Sequence, residues 1–268
     1  MIIEYVPVLQ IQRDLQGMPA NLDRFQKYLK TIGADNGKTE LELPSLIAAN
    51  PMGKEHVTQY LDELLTMDAD RQAAMAVNEA MTELADEPGV YKLALVVADD
   101  LKGGWTNRYA NEYTHRFPSP AGRPDNGELP RWLKHFWLTA LVWTSDQPSR
   151  QRVREAVLAP IFRMVYFQRH GFPRILKEML DQEGAVMAQA GCLEPMLGEE
   201  DIEYTREVIA PHLESADKRT IMECLFGDAA GKTLGFSPRG LSPWAGLALA
   251  LHDGRQKTRH ATSDHGLV

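Results

Sequence analysis

Residues 90–98, Val-Tyr-Lys-Leu-Ala-Leu-Val-Val-Ala, break from the helical spacing that governs most of this chain, and the rest of the fold has to accommodate them. The run is short, mostly apolar and valine-rich, with Pro88-Gly89 ahead of it and Asp99-Asp100 behind it. Those features predict a buried strand, with a buried helical segment as the alternative, because periodicity alone does not separate the two over so few residues. A strand this apolar has no wet face and must be covered on both sides.

The cover is predicted to be helical. Leu22, Phe25, Tyr28, Leu29 and Ile32 fall on one side of a helix over 19–32, and Gly33 is placed to end it. Val57, Tyr60, Leu61, Leu64 and Leu65 do the same over 54–67, and an alanine-rich helix follows over about 69–85. Further helices are expected over 131–144, 149–170, 173–190, 200–213, 216–226 and 243–252. Ser149 is a natural cap for the second of these and Gly171 a natural stop. The fold class is therefore mainly α, a multi-helix globular protein with a minor strand element near 90–98.

Four prolines and two glycines make 118–130 the clearest irregular connection. They separate an N-terminal helical region with a strand-loop-helix unit (1–117) from a C-terminal helical region (131–252), followed by a mobile polar tail (253–268). The alternative is one integrated domain over 1–252.

Bulk properties narrow the functional classes. A net charge of −8 and a pI near 5.5 give no basic footprint for nucleic acid or an anionic membrane surface. The longest apolar runs, 137–143 and 244–251, fall far short of the roughly 18–20 residues that span a bilayer. Residues 1–12 carry Glu4 and lack a basic start and a cleavage site, so they do not read as a secretory signal. Two cysteines define no disulfide framework, and a reducing cytoplasm is the expected location.

Chemistry concentrates in 98–117, Ala-Asp-Asp-Leu-Lys-Gly-Gly-Trp-Thr-Asn-Arg-Tyr-Ala-Asn-Glu-Tyr-Thr-His-Arg-Phe. Read as a helix from Trp105, it sorts into stripes four residues apart. Trp105, Tyr109, Tyr113 and Phe117 suit burial, Arg108, Glu112 and Arg116 form a charge ladder, and Asn107, Asn111 and His115 form a polar row. A strand, a glycine pair and a helix start in succession can aim backbone amides and a positive dipole at an anion. On this reading Asp99, Asp100 and His115 are the candidate catalytic groups. Lys102, Gly103, Gly104, Asn107 and Arg108 are the candidate ligand contacts.

Other signals are weaker. Gly231-Lys232-Thr233 matches the end of a phosphate-binding loop, but Phe226 stands where the first glycine belongs and the preceding segment is helical in pattern. Glu112 and His115 have the spacing used by di-metal bundles, without a second copy. No thiol or serine nucleophile motif is present, and Ser145-Asp146 lies in a turn-like context. Metal and cofactor therefore stay unassigned. The expected function is a cytoplasmic enzyme or binding protein for a small anionic molecule, without a nucleic-acid or membrane partner. The alternative is a non-catalytic helical interaction or regulatory module with a protein partner or a second copy of itself.

Overall fold

The computed structural model describes residues 1–34, 41–101, 107–118 and 137–265, with side chains to residue 260. Among the described residues the protein is mainly helical around a three-stranded parallel sheet in the order β1-β2-β3, comprising Ile2–Tyr5, Val90–Ala98 and Trp137–Trp143. The chain forms two compact units. One takes Met1–Arg108 with Pro120–Ile161, the other Tyr109–Ser119 with Phe162–Val268, so the passage between them is not confined to the proline-rich connection.

The first unit holds the sheet. Ile2 pairs with Val90, and Lys92 through Ala98 pair with Trp137 through Trp143. From Leu93 onward β2 is buried on both faces, as a parallel strand flanked by crossover connections must be. Between β1 and β2 run α1 (Leu9–Gln16), α2 (Leu22–Ile32), a short 3₁₀ turn (Pro44–Ala48), α3 (Glu55–Thr66) and α4 (Ala69–Glu83). On one face Ala94 and Val96 join Val8, Leu15, Tyr28, Ile32 and Leu46 in a single apolar cluster. Each fully buried large side chain there contributes about 1.5–3 kcal/mol. Gln12 fixes α1 to the sheet: its side-chain amide donates to the Val97 carbonyl (2.7 Å) and accepts from the Val97 N–H (3.1 Å), as a neighbouring strand would.

Two segments depart from the helical expectation. The predicted helix over 131–144 is a strand where it is described, from Trp137 to Trp143. Its burial alternates, with Leu138, Ala140 and Val142 inside and Trp137, Thr139 and Leu141 half-exposed. Pairing with β2 overrides any helical preference. Ile2–Tyr5, to which the sequence assigned no element, forms the other edge strand.

The second unit is helical: most of α5 (Arg108–Arg116), the C-terminal part of α6 (Arg150–His170), then α7 (Leu176–Gln189), α8 (Glu199–Ile209), α9 (Lys218–Phe226), α10 (Asp228–Leu234) and α11 (Ala245–His265). Ser149 caps α6 by accepting from the Arg152 N–H at 3.1 Å, and Gly171 ends it in the left-handed conformation at φ 78°. The segment read as a polar tail instead continues α11 as helix to His265. Tyr109, Phe226 and Trp244 pack with ring centroids 5.2–5.8 Å apart, in tilted and edge-on geometry.

Candidate functional site

Parallel strands present their carboxyl ends along one edge, and there the first unit gathers its polar side chains. Asp99 and Asp100 leave the end of β2, while Thr144, Ser145 and Asp146 leave the end of β3. Asn50 and His56 come from the turn before α3 and from its first turn, and Arg108 from the start of α5.

Asp99 is the centre of this group and is only 3% exposed. Its Oδ1 lies 2.7 Å from His56 Nε2 and accepts the Leu101 N–H at 3.1 Å. Its Oδ2 accepts from Asn50 Nδ2 at 2.9 Å. Burial works to raise the Asp99 pKa, but the hydrogen bonds from His56, Asn50 and the Leu101 amide, with the charge of His56, outweigh it together and hold the carboxyl below its usual range. With Nε2 donating to Asp99, the second ring nitrogen of His56 is the basic one, and it has no protein partner among the described residues. The imidazole is 20% exposed, open enough to meet a solute.

Asp100 belongs to a separate ion cluster. It accepts the Ser145 hydroxyl at 2.6 Å and the Ser145 N–H at 3.0 Å, with Arg108 Nη1 at 3.3 Å. Arg108 also grips Asp146 through two parallel bonds of 2.8 and 3.0 Å and lies over the Trp143 ring at 5.4 Å. The Thr144 hydroxyl lies 3.1 Å from Asp99 and 3.2 Å from Asp100, sharing one proton between the two carboxylates.

The turn carrying Asn50 is held from below by Arg24. Among the described residues this buried guanidinium has no carboxylate partner, and it donates to the carbonyls of Pro51 and Gly53, both at 2.6 Å, and of Met18 at 3.0 Å. Burial pushes its pKa down. Removing the donors in Arg24→Met leaves these carbonyls unpaired, and the expected loss is about 1–3 kcal/mol in urea denaturation. A change under about 0.5 kcal/mol would show that water replaces the guanidinium without penalty.

The sequence-derived candidates divide accordingly. Asp99, Asp100 and Arg108 come together at the sheet edge, with Asn107 immediately before α5. Lys102, Gly103 and Gly104 lie outside the described residues, as does Trp105. His115 belongs to the second unit, where its Nδ1 pairs with the Asn111 carbonyl at 2.9 Å and burial pushes its pKa down. His56, Asn50 and Thr144 are not singled out by spacing, Tyr60 is read only as part of the apolar side of its helix, and Ser145-Asp146 only as a turn.

Among the described residues no group of three or more His, Cys, Asp or Glu is arranged to hold a metal ion. None of the described helices is long and apolar enough to cross a membrane. Cys192 and Cys224 are both buried and form no disulfide among the described residues, and burial pushes the Cys224 thiol up to about 11, away from nucleophilic use. No protein-family model matches the chain, and no similar curated protein or solved structure is found.

Proposed function

We propose that the protein is a small-molecule enzyme in which His56, oriented by Asp99, moves a proton at the carboxyl edge of the parallel sheet. The observation that carries this reading is the 2.7 Å contact between a buried strand-end carboxylate and a partly exposed imidazole whose other nitrogen has no partner among the described residues. A carboxylate so placed fixes the ring's tautomer and stabilises the imidazolium formed when the base takes a proton. Asn50 and the Leu101 amide hold Asp99 in turn, so the pair is preorganised. The two cysteines, which form no disulfide among the described residues, support a reducing, cytoplasmic setting.

The test is consumption of compounds from a mixture of water-soluble metabolites, followed by mass spectrometry with the wild-type protein and with His56→Gln. Glutamine can still donate to Asp99 but cannot accept a proton as a base. Turnover of the consumed compound is expected to fall about a hundredfold or more, with the thermal midpoint nearly unchanged. Equal turnover by the variant would remove His56 from the chemistry. A mixture from which nothing is consumed would favour the alternative, a non-catalytic helical module.

A further inference from the structure

Tyr60 stands four residues after His56 on α3, one turn along the same face. It is only 5% exposed, yet its hydroxyl makes no hydrogen bond among the described residues. A buried hydroxyl without a partner is costly, and such groups call for an explanation. Burial, then the neighbouring Asp146 and Asp100 against the opposing charges of Arg152 and Arg108, hold the phenol's pKa well above its ordinary value, so it keeps its proton as a donor. Tyr60 thus lies one turn from His56 and feels the charges of the ion cluster.

The groups around Tyr60 are already engaged. Asp100 takes three donors from Ser145 and Arg108, and Asp146 takes both arms of Arg108. The local charge is also one-sided. Asp100 and Asp146 pair with Arg108, Asp99 adds a third carboxylate held by His56, and Arg152 lies 3.6 Å from Glu155. An incoming anion would have to displace carboxylates from Arg108, and an ammonium has no lone pair for a phenolic O–H. An uncharged oxygen acceptor satisfies both conditions.

We propose that the Tyr60 hydroxyl is a ligand contact of the sheet-edge site, donating to an uncharged carbonyl or hydroxyl oxygen of the substrate and selecting against anions. The assignment rests on the site proposed above and puts an uncharged ligand in place of the anionic one expected from the sequence. It does not depend on turnover.

The probe pair is acetamide and acetate, which share a shape and differ in charge. Each is titrated into full-length protein labelled at tyrosine 13Cζ and histidine 13Cε1, with Tyr60 assigned by its absence from Tyr60→Phe and His56 by its absence from His56→Gln. Acetamide is expected to shift the Tyr60 and His56 resonances saturably, and acetate to shift them more weakly. In Tyr60→Phe the acetamide response read at His56 is expected to weaken about tenfold or more. The thermal midpoint of that variant should stay level or rise, because no protein bond is lost.

Acetate binding as well as acetamide, no saturable response to acetamide in the wild type, or an unchanged acetamide response in Tyr60→Phe would each overturn the proposal. The two readings fail separately. Turnover unaffected by His56→Gln with an intact Tyr60 response removes the catalytic assignment alone, whereas abolished turnover in that variant beside an indifferent Tyr60→Phe removes only the subsite.

Discussion

Replacing Glu183 by alanine is expected to destabilise the second unit by about 3–5 kcal/mol, read as a fall in the urea midpoint at neutral pH. Glu183 is fully buried on α7. Arg163 approaches it with two bonds of 2.8 and 2.9 Å, Arg116 pairs with it, and Gln182 donates at 2.8 Å. Truncation strands two guanidinium groups that have little access to water, and the penalty for that exceeds what the pair gains over an apolar core. The companion variant, Glu183→Leu with Arg163→Met and Arg116→Met, is accordingly expected to lie near the wild type.

The same network predicts an acid limb. Burial works to raise the Glu183 pKa, but Arg163 and Arg116 overcome it and hold the carboxyl down at about 2, against an ordinary 4.5. A depressed carboxyl contributes its stability fully above the unfolded value and loses it as pH falls from about 4.5 toward 2. The wild type should therefore lose stability over that window more steeply than the triple apolar variant. Glu183→Ala within about 1 kcal/mol of wild type, or acid limbs of equal slope, would mean that the network contributes little.

Part of this network was legible in the sequence and part was not. Glu112 and Arg116 are four apart on one helix, and their 2.8 Å contact is the charge ladder read from spacing. Arg163 and Glu183 come from other helices, and nothing local marks them as partners. The strands divide in the same way. Residues 90–98 carry valines between a Pro-Gly break and two aspartates, whereas 137–143 is an equally apolar run that takes its identity from the neighbour it pairs with. Ile2–Tyr5 is too short for periodicity to register.

The site follows the same logic. Asp99 and Asp100 were visible because they directly follow a predicted strand and precede a glycine pair, and Arg108 because it falls in the charge ladder of the helix read from Trp105. His56 and Thr144 reach Asp99 from 43 and 45 residues away, and Asn50 from 49, distances over which spacing carries no information. A retrievable signal did exist. Asn50-Pro51-Met52-Gly53 is a turn leading directly into a helix whose second residue is histidine, and a crossover from a parallel strand commonly returns a helix start to the sheet's carboxyl edge. His115, drawn in by its stripe with Asn107 and Asn111, shows a different point: residues of one stripe can belong to different units, Asn107 to the first and Asn111 and His115 to the second.

Gly254→Ala puts two physical effects in direct opposition. Within a helix, alanine is favoured over glycine by about 1 kcal/mol, so propensity alone predicts a more stable protein. Packing predicts the reverse. A Cβ on Gly254 would sit 2.1 Å from the Gly184 carbonyl oxygen and 2.9 Å from its Cα, and one on Gly184 would sit 2.5 Å from the Ala250 oxygen. These are backbone atoms, so no rotamer change relieves the contact, and α7 and α11 must move apart. Separation would open the packing of Met179, Val186, Leu247 and Leu251, all buried in the second unit. The expected result is a net loss of about 2 kcal/mol for alanine and more for valine, measured by denaturant unfolding. Stabilisation by alanine would show that the helices have slack to spare. Destabilisation would make 253–265 part of the unit it packs against, with glycine required where two backbones touch, although composition alone makes that segment look like a polar appendage.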